Sequence, residues 1–343
     1  MRGHEGADAW RAATNRLSTH AMTSLHDVAH QMRMVLPDDP PPDLSPDGKR
    51  RYFGLKKKSW YRLREMRTHG GRVVVVGSFG NFSASKGGMW KVDVDWKGIS
   101  AEEREQLQAQ RAALAEAERA QRAQAGALAA IGAAELWHSA SSTGRSPYLL
   151  RKLVDGEACR YLPDGSIVLP LLCYDLPRDE ALKAVQRIYA DGTKRFTKGF
   201  TKPRCALRLG AGVVPLDQPI LVCEGYATAL TIRMATERRV TVFMALDAGN
   251  LGPVCEMLRE LYPESRLLIC ADDDWRTEGN PGRDKARCAA KALGRCDIVW
   301  PVFGGVERGD KDTDFNDLHA RGGLNRVRAQ LRACLDAIRR YDH

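Results

Sequence analysis

From residue 215 onward the chain alternates short apolar runs with helix-forming segments, and this alternation limits the possible folds more than any other feature. The runs are Ile220 to Cys223, Val240 to Leu246, Leu267 to Ala271 and Asp297 to Val302. Strands that alternate with helices predict a largely parallel sheet with helices on both faces. In an open sheet of that kind the functional crevice lies beyond the carboxyl ends of the strands. Acidic residues gather at those ends. Glu224 directly follows the first run, and Gly225 permits a tight turn into a helix beginning near Tyr226. Asp272 closes the third run; the period-two geometry of an extended chain turns Asp274 to the same side and Asp273 away. Asp312, Asp314, Asn316 and Asp317 follow the last run.

Several carboxylates brought together repel and raise one another's pKa unless a cation sits among them. Magnesium, or manganese in its place, suits such a set, because it takes hard oxygen ligands together with water and substrate phosphates. Zinc is not expected, since the nine cysteines include no CxxC pair. They read as reduced core residues.

The remaining chain is basic. The formal net charge of the whole chain is +10, which favours a polyanionic partner, most often nucleic acid. Between Asp47 and Arg72 lie Lys49, Arg50, Arg51, Lys56, Lys57, Lys58, Arg62, Arg64 and Arg67, interleaved with Tyr52, Phe53, Trp60 and Tyr61. Lysines can neutralise phosphates and aromatic faces can stack unpaired bases, so Lys56, Lys57, Lys58 and Trp60 are candidates for single-strand contact. A helix near Ser24 to Leu36 is expected to stop before Pro40, Pro41 and Pro42. Val73 to Val76 and Trp90 to Trp96 read as strands. From Ser100 to about Trp137, Ala, Glu, Gln and Arg dominate, which predicts one long connecting helix. Leu107, Leu114 and Leu128 share a seven-residue spacing that Gln121 interrupts, so a coiled coil is not expected. A second α/β stretch, with strands at Ser166 to Leu172 and Lys183 to Ala190, carries a basic strip of Lys183, Arg187, Lys194, Arg195, Lys198, Lys202 and Arg204. No apolar run is long enough for a membrane span, and Met1 to Trp10 has no secretory h-region. A cytoplasmic protein is expected.

The ordered set Glu224-Gly225, Asp272-x-Asp274 and the later acidic group resembles the Toprim domain of bacterial-type primases, topoisomerases and some nucleases. From Ser146 to about Gly323 the chain is more specifically similar to primases of phages and conjugative plasmids. The matching pieces are Pro147 to Lys152, Gln186-Arg187-Ile188, Asp191 to Phe196, Glu224 to Ala229, Asp247 to Leu251, Ala271 to Asp274, Asn280-Pro281-Gly282 and Thr313 to Leu318. The resemblance implies an α/β fold: a Toprim-like, mostly parallel sheet flanked by helices, preceded by a smaller basic α+β primase lobe and an N-terminal module joined by a long helix. The expected divisions are 1–99, 100–138, 139–213 and 214–343. It implies synthesis of short RNA primers on single-stranded DNA from ribonucleoside triphosphates, with magnesium. Ser146 stands where this group tends to have His. The zinc-binding template reader of cellular primases is missing, which leaves template contact to the basic N-terminal module. No Gx4GK[ST] loop occurs in the chain, so unwinding is expected from a separate replicative helicase.

By position, Asp272 and Asp274 are the leading metal ligands, and Glu224 is a further ligand or the base that takes the proton of the attacking 3′-hydroxyl. Asp314 and Asp317 complete the candidate metal set. Lys194, Arg195, Lys198 and Arg187 are candidates for triphosphate and template backbone. The open helix start at Gly282 is a candidate phosphate contact. Two alternatives use the same residues differently: a Toprim nuclease, or a catalytically silent single-stranded DNA-binding protein.

Overall fold

The computed structural model describes residues 23–82, 88–94, 96, 99–210, 212–214 and 218–341. The reading of Met1 to Trp10 lies outside these residues. The chain divides into two compact units, 1–118 and 119–343.

In the first unit, α1 (Leu25–Val35) starts from a capping box. Ser24 Oγ accepts from the Asp27 N–H at 3.3 Å, and Asp27 accepts from the Ser24 N–H at 2.7 Å. The antiparallel strands β1 (Arg51–Phe53), β2 (Ser59–Arg67), β3 (Val73–Asn81) and β4 (Gly88–Lys91) follow in that spatial order. Strand alternation sends Tyr61, Leu63, Val75 and Phe79 onto Val28 and Met32 of α1. It sends Met66, Val74 and Val76 to the other face, where Leu107 packs on them. The four-valine run is apolar on both sides because both sides are covered there.

The expected strand at Trp90 to Trp96 ends early, at Lys91. Gln31 captures the next stretch of backbone: its side chain accepts from the Asp93 N–H and donates to the Asp93 carbonyl, both at 2.9 Å. Those groups are then lost to a sheet ladder. Asp95, Lys97 and Gly98 lie outside the described residues. The helix α2 (Ala101–Ser139) is continuous over 39 residues. Ser100 and Glu103 exchange reciprocal hydrogen bonds of 3.1 Å at its start. Leu107 is buried and Leu128 exposed, so the leucine spacing does not form a common seam.

In the second unit, Ala133, Leu136 and Trp137 of α2 pack on Val168 and Val185. After α3 (Pro147–Arg151) come β5 (Arg160–Tyr161), β6 (Ile167–Leu172), β7 (Leu182–Ile188) and β8 (Lys194–Phe196), an antiparallel sheet in sequence order. The second sheet uses β9 (Leu207–Leu209), β10 (Ile220–Cys223), α4 (Tyr226–Ala235), β11 (Val242–Met244), α5 (Ala248–Leu261), β12 (Leu267–Cys270), α6 (Pro281–Leu293) and β13 (Cys296–Val299). It ends with α7 (Phe315–Gly322) and α8 (Leu324–Tyr341). Its strand order is β13-β12-β10-β11-β9, parallel except for the edge strand β9. This is the mostly parallel α/β sheet expected from the alternating runs. Leu221, Cys223, Leu268 and Cys270 face α4, α7 and α8, while Ile220, Val222, Leu267 and Ile269 face α5 and α6. Among the described residues no helix is long and apolar enough to cross a membrane.

A buried ion pair ties the loop after α3 to this sheet. Arg233 of α4 donates to both carboxylate oxygens of Glu157 at 2.8 to 3.1 Å. Glu157 also accepts from the Gly210 N–H at 2.9 Å, just past β9. Removing one member strands the other charge away from water. Arg233→Met is expected to lower stability by about 3–5 kcal/mol, measured as a shift of the urea unfolding midpoint; a change within about 0.5 kcal/mol would contradict the assignment.

Candidate active site

The parallel register of β10 and β12 sets Cys223 beside Cys270, so Glu224 and, two residues past Cys270, Asp272 emerge at the same end of neighbouring strands. Glu224 Oε1 and Asp272 Oδ1 are buried, and neither has a hydrogen-bond partner. Burial, followed by the charges of Asp274 and Asp247, pushes the Glu224 carboxyl up to about 7. Burial, followed by Glu224, Asp314 and Asp274, pushes Asp272 well above the carboxylate range. The carboxylates of the three sequence clusters therefore act on one another within a single crevice.

Asp273 turns away from that crevice and anchors it. Its buried carboxylate accepts from Arg308 Nη1 at 2.8 Å and from Asn280 Nδ2 at 2.6 Å, and it is ion-paired with Arg283, whose Nε lies 2.8 Å away. Asn280 takes the left-handed conformation, φ 42°, which Asn tolerates better than most residues. Its side-chain oxygen accepts from the Asp274 N–H at 2.9 Å. Pro281 then opens α6, where its missing N–H costs nothing. Gly282 has to be small: a Cβ there would lie 2.5 Å from the Asp272 carbonyl oxygen. The Gly282 N–H donates to Asp274 Oδ2 at 2.9 Å. The expected phosphate contact at this helix start is corrected accordingly, because an acidic side chain of the chain itself occupies that donor.

Asp314 and Asp317 form the capping box of α7. Asp314 accepts from the Asp317 N–H at 2.8 Å and from Thr228 Oγ1 at 2.9 Å. Asp317 accepts from the Thr313 N–H at 2.8 Å and stands 3.7 Å from Lys152 Nζ. Burial first, then Asp314, raises the Asp317 pKa. Both residues add negative charge to the crevice, while their oxygens are largely taken up in starting the helix. Asp247, absent from the candidate set above, acts on Glu224 from the end of β11. It caps α5 and pairs with Lys202. The available signal was an acidic residue just after an apolar run, the same signal that picks out Glu224 and Asp272.

The basic candidates are dispersed. Arg187 and Arg195 are cross-strand partners, and both guanidinium groups lie over Tyr189, at 4.5 and 5.8 Å. Arg187 is also paired with Asp164 and donates to Ser166 Oγ at 2.8 Å, so it is committed to the sheet. Lys194 and Arg195 are exposed neighbours on β8, and strand alternation points them to opposite faces. Lys198 is exposed. In the first unit Lys56, Lys57 and Lys58 are exposed, but Trp60 is only 4% exposed. Phe82 stacks on Trp60 at 6.0 Å and Arg50 lies 4.3 Å from its ring centroid. The expectation that Trp60 itself receives a base is therefore corrected. Ser146 is buried, and its hydroxyl has no partner.

The family description of the Toprim domain matches residues 219–325, which carry all of these carboxylates. Residues 219–325 are similar to a Toprim domain. Two Escherichia coli proteins, each called DNA primase TraC, are 41% identical over 124 residues and 38% identical over 128 residues, or 35% and 36% of this chain. The matched stretches are 11% and 9% of those relatives, so the chain spans about a tenth of their length. The crystal structure of the primase fragment of the bacteriophage T7 primase-helicase protein superposes over 50% of this chain and 66% of its own, with 15% identity and a TM-score of 0.35.

Toprim domains are in general divalent-metal dependent. Among the described residues no three His, Cys, Asp or Glu side chains are gathered into a ready-made cage. Magnesium does not require one, since it is usually held by one or two carboxylates, with water and phosphate filling its remaining positions. The two orphaned oxygens of Glu224 and Asp272 fit that requirement.

Metal-free protein should show the burial of Glu224, and the repulsion around it, as a pH dependence. The unfolded chain releases the Glu224 proton near the ordinary value of 4.5, whereas the folded chain holds it up to about 7. Stability is thus greatest below the ordinary value and falls as pH rises towards about 7, by roughly 3 kcal/mol from this group. Thermal unfolding in EDTA at several pH values measures this. Glu224→Gln is expected to flatten the slope, and added magnesium to offset it; a wild-type stability that rises with pH across this window would contradict the account.

Proposed function

We propose that this chain is a DNA primase that makes short RNA primers on single-stranded DNA by nucleotidyl transfer, for replication of a phage or mobile element. The observation that carries the reading is the crevice of the Toprim domain, where Glu224 and Asp272, at the same end of neighbouring strands, each present a buried, unpartnered carboxylate oxygen. The primase names of the two TraC relatives support the choice of reaction. Its substrates on this reading are ribonucleoside triphosphates and a single-stranded DNA template, and a separate helicase opens the duplex.

Glu224, Asp272 and Asp274 are the residues that would hold magnesium or manganese. When bound, such an ion neutralises these carboxylates and stabilises charge on the phosphates in transfer. Glu224 is a further ligand or the base that takes the proton of the attacking 3′-hydroxyl. Asp273, clamped by Arg283 and Arg308, orients its two neighbours. Lys194 and Lys198 are exposed cations on the lobe preceding the Toprim domain and suit triphosphate or template phosphates. Lys202, paired with Asp247, links that basic strip to the acidic crevice. In this division of labour 1–99 contacts template, 100–138 connects, 139–213 is the basic lobe and 214–343 carries the chemistry.

Labelled oligoribonucleotide synthesis on single-stranded DNA with magnesium tests the proposal. Wild type is expected to yield short products, with Asp272→Asn and Glu224→Gln each reducing the rate by about a hundredfold or more. Equal product from wild type and Asp272→Asn would contradict it, as would shortening of the template with no nucleotide added.

A further inference from the structure

The sheet of the first unit has a face that is only half covered. α1 packs against one side, and α2 covers the other side around Met66, Val74 and Val76 and at Arg62 and Arg64, which pair with its Glu118. The rest of that second side carries a row of cross-strand partners, Tyr52, Trp60, Gly80 and Met89, running over all four strands. Trp60 forms its floor. Gly80 makes room for that ring, since a Cβ there would stand 2.9 Å from it. Above the floor Phe82 stacks on Trp60, and Tyr52 lies 6.4 Å from Phe82. Tyr52 and Phe82 are 52% and 59% exposed, and Met89 is 65% exposed. An open aromatic patch of this kind is unusual on a folded surface unless something binds there.

The turn beside the patch is cationic. Lys56, Lys57 and Lys58 follow Tyr52 and Phe53 in the chain, and all three are exposed. Lys56 and Lys57 are held with φ at +54°, a conformation that is uncommon for residues other than glycine. Among the described residues none of the three lysines is in an ion pair. Asp38, a carboxylate at this turn, is already used by the Leu55 N–H at 3.1 Å and by Ser59 Oγ at 2.5 Å. Open aromatic rings beside unpaired lysines match the two parts of an unpaired polynucleotide: bases that stack and phosphates that need cations. Duplex DNA keeps its base faces stacked inside and offers only the second part. A protein partner would have to leave the lysines unanswered or supply acidic groups beside an apolar plug.

We propose that Tyr52 and Phe82 form a stacking platform that holds bases of single-stranded DNA, with Lys56, Lys57 and Lys58 on the adjoining phosphates. The choice of DNA over RNA rests on the template role proposed above; the stacking itself is independent of the Toprim crevice.

Fluorescence anisotropy of the full chain with a labelled oligothymidylate of about 16 nucleotides, in EDTA and without nucleotides, tests it. The double variant Tyr52→Ala with Phe82→Ala is expected to weaken binding at least about tenfold and to leave the salt dependence unchanged. Tyr52→Phe is expected to bind like wild type. Replacing all three lysines by alanine is expected to flatten the slope of log Kd against log salt by about 2. In the unaltered chain, photocrosslinking to a strand carrying 5-iododeoxyuridine is expected to map to Tyr52 or Phe82, a readout that does not depend on how the variants fold. Wild-type affinity in the double variant would overturn the proposal, as would crosslinks confined to 183–204 or tighter binding of duplex DNA or RNA than of single-stranded DNA. Failure of primer synthesis with this binding intact would remove the primase reading and leave the platform; primer synthesis with no aromatic-dependent binding would do the reverse.

Discussion

The pairing of β10 with β12 is the constraint on which the site depends. Two neighbouring parallel strands each run into a carboxylate, so Glu224 and Asp272 leave the sheet at the same end. Buried like charges gathered in one crevice raise one another's pKa and cost stability unless they are neutralised. A fold that keeps such a pair, half-buried and without hydrogen-bond donors on the inner oxygens, must either hold a proton there or take up a cation. The raised pKa of both groups is the first response. Divalent-metal binding, general among Toprim domains, would be the second.

The surroundings keep this repulsion from dispersing the loop. Of the three consecutive aspartates only Asp273 is neutralised internally, by two arginines, and it holds the strand end while Asp272 and Asp274 stay in the crevice. Arg308 is itself steadied between Trp275 and Phe303, 4.8 and 4.6 Å from their ring centroids. Asn280 and Gly282 fix the return of the chain into α6 through backbone hydrogen bonds to the Asp274 segment. On the opposite wall, the Asp314–Asp317 capping box begins α7, and Thr228 of α4 binds Asp314. The acidic crevice is thus assembled from strand ends and helix starts, and hydrogen bonds to backbone hold its loops in place.

The parallel sheet and its acidic strand ends were legible in the sequence because both signals are local: an apolar run, then a carboxylate, then a glycine or helix start. The inward turn of Asp273 follows from the same alternation. What the sequence did not disclose depends on distant partners. Trp60 reads as an exposed aromatic in a basic stretch, yet Phe82, on the far side of the β2–β3 hairpin, lies over it. Arg187 reads as a free cation until Asp164, in the turn before β6, is placed beside it. The strand after Trp90 stops because Gln31, far upstream on α1, takes its backbone groups. Lys194 and Arg195 were separable by alternation alone, and grouping them overlooked the two faces of a strand. Asp247 carried the right local signal and lacked only the knowledge that β11 lies beside β10.

The account requires that the negative crevice of the Toprim domain be a divalent-cation site built on Glu224 and Asp272. Crystals soaked in manganese and measured at its absorption edge would locate that ion without reference to activity. The account predicts an anomalous peak bound to carboxylate oxygens of Glu224 and Asp272 that disappears in Asp272→Asn. A peak elsewhere, or none at concentrations that saturate the protein in solution, would contradict it.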